Sequence, residues 1–184
     1  HIRQYTLSAP ERYVADTEAR YGRRIGWYAF TRALKPKVVV ETGTNKGLGT
    51  CIIAAALLHN SKEGNPGYLY STDHDPAAGY LFQAPYNNYG KIMYGDSIDS
   101  LNKLDATIDL FINDSDHSQD YEMREYDAVQ VKLSPADIII GDNAHCSQKL
   151  WEFSQRTNRQ FTFFQESPLH HWYPGAGMGV SYHN

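Results

Sequence analysis

The stretch Val38 to Thr50, VVVETGTNKGLGT, constrains the fold of this chain more than any other. Val38, Val39 and Val40 are β-branched and apolar without alternation, the pattern of a strand buried on both faces. Glu41 stands where that strand should stop. Gly43, Gly47 and Gly49 follow at once, and glycines allow a sharp turn that a ligand can approach without Cβ interference. Thr50 to Leu58, TCIIAAALL, then reads as a helix. Strand, glycine turn and helix in this order make a ligand cradle. The helix N-terminus offers free N–H groups to an anion, and the Glu41 carboxylate offers an acceptor to a cationic or hydroxyl-bearing group.

A dinucleotide site would show G-x-G-x-x-G with an acid about 20 residues further on. This chain has E-x-G-x-x-x-G-x-G, and the next strand-ending acid, Asp73, lies well beyond that spacing. The stretch instead resembles motif I of the class I S-adenosylmethionine-dependent methyltransferases, and more closely that of their small-molecule O-methyltransferase branch. The resemblance implies that Glu41, Gly43, Thr44, Asn45 and Gly47 surround the cofactor.

Composition sets the class. The 184 residues are a single-domain length, with 41% hydrophobic and 21% charged side chains, as in ordinary globular proteins. A formal net charge of −4 argues against nucleic acid as a partner, since phosphate binding depends on Lys and Arg. The apolar runs are too short to span a bilayer and no signal-like segment opens the chain, so no membrane partner and a cytoplasmic location are expected. Cys51 and Cys146 lack C-x-x-C spacing and read as reduced thiols. Arg20, Arg23 and Arg24 read as a solvated helix face.

Residues 10 to 34 carry an amphipathic helical pattern that Gly22 and Gly26 weaken, so one helix or two short ones are expected there. This predicts an N-terminal helical cap over 1–35 ahead of a single compact unit over 36–184. Strands are expected at 37–41, 68–72, 89–94, 108–113, 137–140, 160–165 and 175–182. Helices are expected at 50–58, near 76–83, and at 97–103, 118–132 and 144–157. Five β–α units with a two-strand ending give an α/β, doubly wound, mostly parallel seven-stranded sheet. The methyltransferase resemblance implies the strand order 3-2-1-4-5-7-6.

Acids at the ends of parallel strands face the crevice where such folds bind ligands. The resemblance implies that Asp73, with His74 beside it, holds the two ribose hydroxyls, whereas Asp75 precedes Pro76 and reads as a cap. Gly95-Asp96-Ser97 resembles the family's G-D-[AS] signature, which implies that Asp96 and Ser97 meet the adenine. Asp114 follows the fourth strand and Asp142-Asn143 the fifth, so the three should converge. Their oxygens suit octahedral Mg²⁺ or a similar hard cation. This set resembles the metal triad of the catechol and caffeoyl-CoA type O-methyltransferases, with Asp114 also bordering the cofactor.

One departure stands out. Those families have a lysine three residues after the metal acid, whereas this chain has His117, in D-S-D-H. A histidine near its ordinary pKa of about 6.5 can take a proton from a metal-acidified hydroxyl, which makes His117 the candidate base. The D-x-D-H pattern also resembles methyltransferases acting on sugars and antibiotics. The implied function is methyl transfer from S-adenosylmethionine to a hydroxyl of a small molecule, assisted by a divalent metal. Two alternatives are a metal-independent enzyme using His117 or His145, and a non-catalytic S-adenosylmethionine-binding scaffold. The acceptor and the oligomeric state, homo-oligomer included, are not legible in the sequence. Asp96, Asp114, Asp142 and Asn143 also have a plain reading as helix caps.

Overall fold

The computed structural model describes residues 21–22, 24–142, 144–165 and 177–183. Most of the expected cap over 1–35, together with Asn143 and the loop carrying His170, His171 and Trp172, lies outside the described residues.

The triple valine forms β1 (Val38–Thr42), the third strand of the seven-stranded order β3-β2-β1-β4-β5-β7-β6. β2 (Tyr68–Asp73) and β4 (Ile108–Asn113) flank it in parallel, β3 (Gly90–Tyr94) lies outside β2, and β5 (Leu133–Gly141) lies outside β4. β7 (Gly177–Tyr182) runs antiparallel between β5 and β6 (Gln160–Gln165). The strand order implied by the methyltransferase resemblance is the order observed.

Successive strand residues serve opposite cores, as the two-residue period of a strand requires. Val39, Leu110, Ile112 and Ile140 pack with Trp27, Ile53 and Leu57, on the side of α1 (Arg24–Leu34) and α2 (Leu48–Lys62). Val40, Phe111 and Ile139 pack with Leu101, Tyr126 and Phe153, on the side of α3 (Ser97–Lys103), α4 (Gln119–Gln130) and α5 (Lys149–Arg156). Both faces of the sheet are covered, which explains why its central strands read as unbroken apolar runs. No helix among the described residues is long and apolar enough to cross a membrane.

Two expected helices are corrected. Residues 76–81 form turns, with Gly79 at φ 81°, outside the helical region. The Gly79 N–H donates to the Asn45 carbonyl at 2.7 Å and the Leu81 N–H to the Lys46 carbonyl at 3.0 Å, so the segment is tied to the glycine loop instead of coiling on itself. The helix expected over 144–157 begins only at Lys149, and residues 144–146 are a turn.

The parallel ladders run on past the strands. The Asp114 N–H donates to the Thr42 carbonyl and the Asp142 N–H to the Asn113 carbonyl, each at 2.9 Å. This extension carries both aspartates to the same end of the sheet as the glycine loop.

Candidate functional site

A cavity of about 830 Å³ opens over the C-terminal ends of the parallel strands. Its floor begins at Gly43, which has φ 88° and whose Cβ, were there one, would stand 1.9 Å from the Asp114 carbonyl oxygen. Only glycine lets the loops after β1 and β4 touch in this way. Asn45 (φ 47°) and Gly47 (φ 91°) complete the turn into α2.

Asp73 is anchored rather than loose. Its Oδ2 accepts from the Asn45 N–H at 2.7 Å and its Oδ1 from the Asp75 N–H at 2.9 Å. His74 lines the cavity with an exposed side chain, Nδ1 standing 3.8 Å from Asp73 Oδ1. Asp96 caps α3 through the Asp99 N–H at 2.9 Å and accepts a second bond at 2.9 Å from the Tyr121 hydroxyl. The Asp99 N–H, more than any other group, holds the Asp96 carboxyl below the usual carboxylate range. Ser97 bonds the Tyr121 hydroxyl at 2.9 Å and donates to Glu125.

The carboxyls of Asp114 and Asp142 lie close enough to interact, and Asp142 is almost wholly buried. Burial first, and Asp142 second, push the Asp114 carboxyl well above its ordinary value, while Arg24 opposes the shift with Nη2 at 3.5 Å from Oδ2. Two neighbouring acids, Asp142 buried and Asp114 half-buried, favour a proton or a cation between them. Their oxygen donors fit a hard divalent ion in kind. Asn143, the third expected ligand, lies outside the described residues. Among the described residues no three His, Cys, Asp or Glu side chains cluster to hold a metal. His117 lines the cavity beside Asp116, whose Oδ1 accepts from the Ser118 N–H at 2.7 Å.

Three of the residues expected to surround the cofactor, Glu41, Thr44 and Gly47, do not line the cavity. Glu41 is 1% exposed, and its Oε2 accepts from the hydroxyls of Thr50 and Ser71, both at 2.6 Å. Burial raises its carboxyl to about 7 against the pull of those hydroxyls. Thr44 is buried and bonds the Ser71 hydroxyl at 2.5 Å and the Thr72 carbonyl at 3.1 Å. His145 borders a separate, smaller cavity with Trp151, Phe161 and Phe163.

Three residues with no site role in the sequence reading belong to the site. Arg24, read as solvated, lines the cavity. Tyr121 lines it too and bridges Asp96 and Ser97. Glu125 lies buried beneath, accepting from Thr42, Ser97, Asn113 and Ser115. The signal available was a pair of acids, Glu122 and Glu125, on the same helix face as Tyr126 and Val129.

A family model described as "Methyltransferase domain" matches residues 40–144. Among solved structures, the O-methyltransferase TomG of Streptomyces achromogenes, involved in tomaymycin synthesis and bound to S-adenosylmethionine, is 14% identical. It covers 100% of this chain and 89% of its own, with a TM-score of 0.75. An O-methyltransferase from Bacillus cereus in complex with S-adenosylhomocysteine is 14% identical over 100% of this chain and 97% of its own, with a TM-score of 0.72. The S-adenosylhomocysteine-bound methyltransferase PaMTH1 of Podospora anserina is 16% identical over 100% and 86%, with a TM-score of 0.68. At these identities the likeness is one of fold. No curated protein matches the sequence.

Proposed function

The chain belongs to the methyltransferase-domain family, and from that premise we propose that it transfers the methyl group of S-adenosylmethionine to a hydroxyl oxygen of a small molecule. The observation that carries the reading is the gathering of Asp73, Asp96, Asp114, His117 and Asp142 around one cavity that Gly43 floors. The solved O-methyltransferases of the same fold, bound to S-adenosylmethionine or S-adenosylhomocysteine, support it.

Each group has a part. Asp73, its carboxylate fixed by two backbone N–H donors, accepts from the ribose hydroxyls. Asp96 and Ser97, locked by Tyr121, face the adenine. The methyl-bearing sulfonium then lies toward Asp114 and Asp142, where negative charge favours it. The acceptor oxygen attacks the methyl carbon in line as the carbon–sulfur bond breaks, and His117 takes the hydroxyl proton. Holding donor and acceptor in this geometry supplies most of the acceleration. Asp114, Asp142 and Asn143 would hold a divalent cation through oxygen, and its chemistry there is to acidify the acceptor hydroxyl.

Calorimetry tests the proposal directly. S-adenosylmethionine is expected to bind and NAD not, with a separate Mg²⁺ heat that EDTA and Asp142→Ala abolish. Absence of any S-adenosylmethionine binding overturns the reading. Binding without a metal heat leaves methyl transfer standing and removes the metal.

A further inference from the structure

We infer that Arg24, on the helix ahead of the family-matched segment, binds the carboxylate of the cofactor's methionyl end. This rests on the methyltransferase reading above and extends it to a residue which neither the motifs nor the family match includes.

Arg24 is in place and held. It lines the cavity at the end marked by Gly43, Asp114 and Asp142. Its guanidinium lies 5.3 Å from the ring centroid of Trp27, a fully buried side chain, so a cation–π contact and the start of α1 fix where it points.

It also has donors in reserve. Its Nε is buried and has no hydrogen-bond partner among the described residues. Its contact with Asp114, at 3.5 Å, is longer than the about 2.7–2.9 Å of a strong charge-assisted bond. A guanidinium carries five N–H donors and favours carboxylates, which it can grip with two parallel bonds.

The charge of the cavity requires such a group. Asp73, Asp75, Asp96, Asp114, Asp116 and Asp142 all line it. These acids suit the ammonium and sulfonium of the cofactor, yet they repel its carboxylate. Arg24 and Lys46 are the only Arg or Lys side chains among the described lining residues. Lys46 follows Asn45, whose N–H holds Asp73, and so belongs to the nucleoside end. Arg24 therefore stands where the carboxylate must go.

The test compares S-adenosylmethionine with its decarboxylated analogue, which keeps sulfonium and ammonium and lacks only the carboxylate. Affinities are measured by calorimetry on the full chain and on Arg24→Ala and Arg24→Lys, each first shown to melt as a folded protein. The unsubstituted protein is expected to prefer S-adenosylmethionine by about 10- to 100-fold, the worth of a hydrogen bond to a charged group. Arg24→Ala should bring that ratio to about one, and Arg24→Lys should restore part of it. A ratio unchanged by Arg24→Ala, or a ratio near one in the unsubstituted protein, overturns the assignment. If the unsubstituted protein binds neither ligand, the methyltransferase reading itself falls.

Discussion

At the scale of single residues, two buried glutamates hold the site from below. Glu125 accepts from four side chains that belong to β1, α3, β4 and the loop after β4. Burial raises its carboxyl above the ordinary range while those donors oppose the shift. Glu125→Gln replaces one acceptor oxygen by an NH₂ group facing donors, at a cost of about 1–3 kcal/mol. The expected outcome, read by urea unfolding, is a lower midpoint together with weaker S-adenosylhomocysteine binding. Glu41 contributes to pH dependence beside Asp114 and Glu125, whose carboxyls are raised as well. Its carboxyl, ordinarily near 4.5, stands at about 7 when folded, so the folded state binds the proton more tightly. The stability this contributes is full below about pH 4.5 and is lost as pH rises through 7, amounting to at most about 3 kcal/mol. Glu41→Gln keeps an oxygen for Thr50 and Ser71 and cannot ionise. Its melting temperature should therefore fall less between pH 5 and pH 8 than that of the unsubstituted protein, and an unchanged slope would refute the assignment. If His117 is the base proposed above and touches only the acceptor, His117→Ala should lower kcat by about 10²–10⁴-fold and leave cofactor affinity intact. Asp73, Asp96, Asp114 and Asp142 were legible because each ends a strand or follows one. Arg24 and Glu125 were not, because helical periodicity assigns charge to the solvent side and says nothing of a polar partner across the fold.

At the scale of elements, the glycine turn and the segment 76–83 are one unit. The carbonyls of Asn45 and Lys46 receive the N–H groups of Gly79 and Leu81. The strands themselves were readable, since apolar runs of five or six residues bounded by turn residues admit little else, whereas their order came from the methyltransferase resemblance. The turn over 76–81 was not, because its stabilising bonds come from a loop some thirty residues away, whereas propensity weighs only neighbours. Gly43 is where the unit is least forgiving. Gly43→Ala combines a φ of 88° with a Cβ 1.9 Å from the Asp114 carbonyl oxygen. The left-handed strain alone costs about 1–3 kcal/mol, and the overlap forces the β1 and β4 loops apart. Calorimetry should show cofactor binding lost even where the melting curve remains cooperative, while Gly64→Ala, whose added Cβ would meet nothing within 4 Å, should still bind.

At the scale of the whole molecule, charge is distributed unevenly in a useful way. The net charge is only −4, yet six aspartates face one cavity. Such a cavity concentrates field and attracts a cation. S-adenosylmethionine carries one more positive charge than S-adenosylhomocysteine, so the substrate is drawn in more strongly than the product. Raising the salt from about 0.05 to 0.5 M shortens the screening length several-fold. The affinity for S-adenosylmethionine should drop more than that for S-adenosylhomocysteine, as parallel titrations at the two salt concentrations would show. Equal losses would remove the cavity's field from the account.

The placement of β7 has a bearing on time rather than space. Five parallel strands are laid down in the order of synthesis, but the sixth strand, Gln160–Gln165, has no partner in the sheet until Gly177–Tyr182 is made and slides between it and β5. While the chain is still growing, the side of β5 that β7 will occupy is a bare row of peptide groups open to any passing strand. Of the seven described strands the last to be synthesised is thus the one that closes the sheet, and nascent chains stalled before it leave that edge exposed to aggregation.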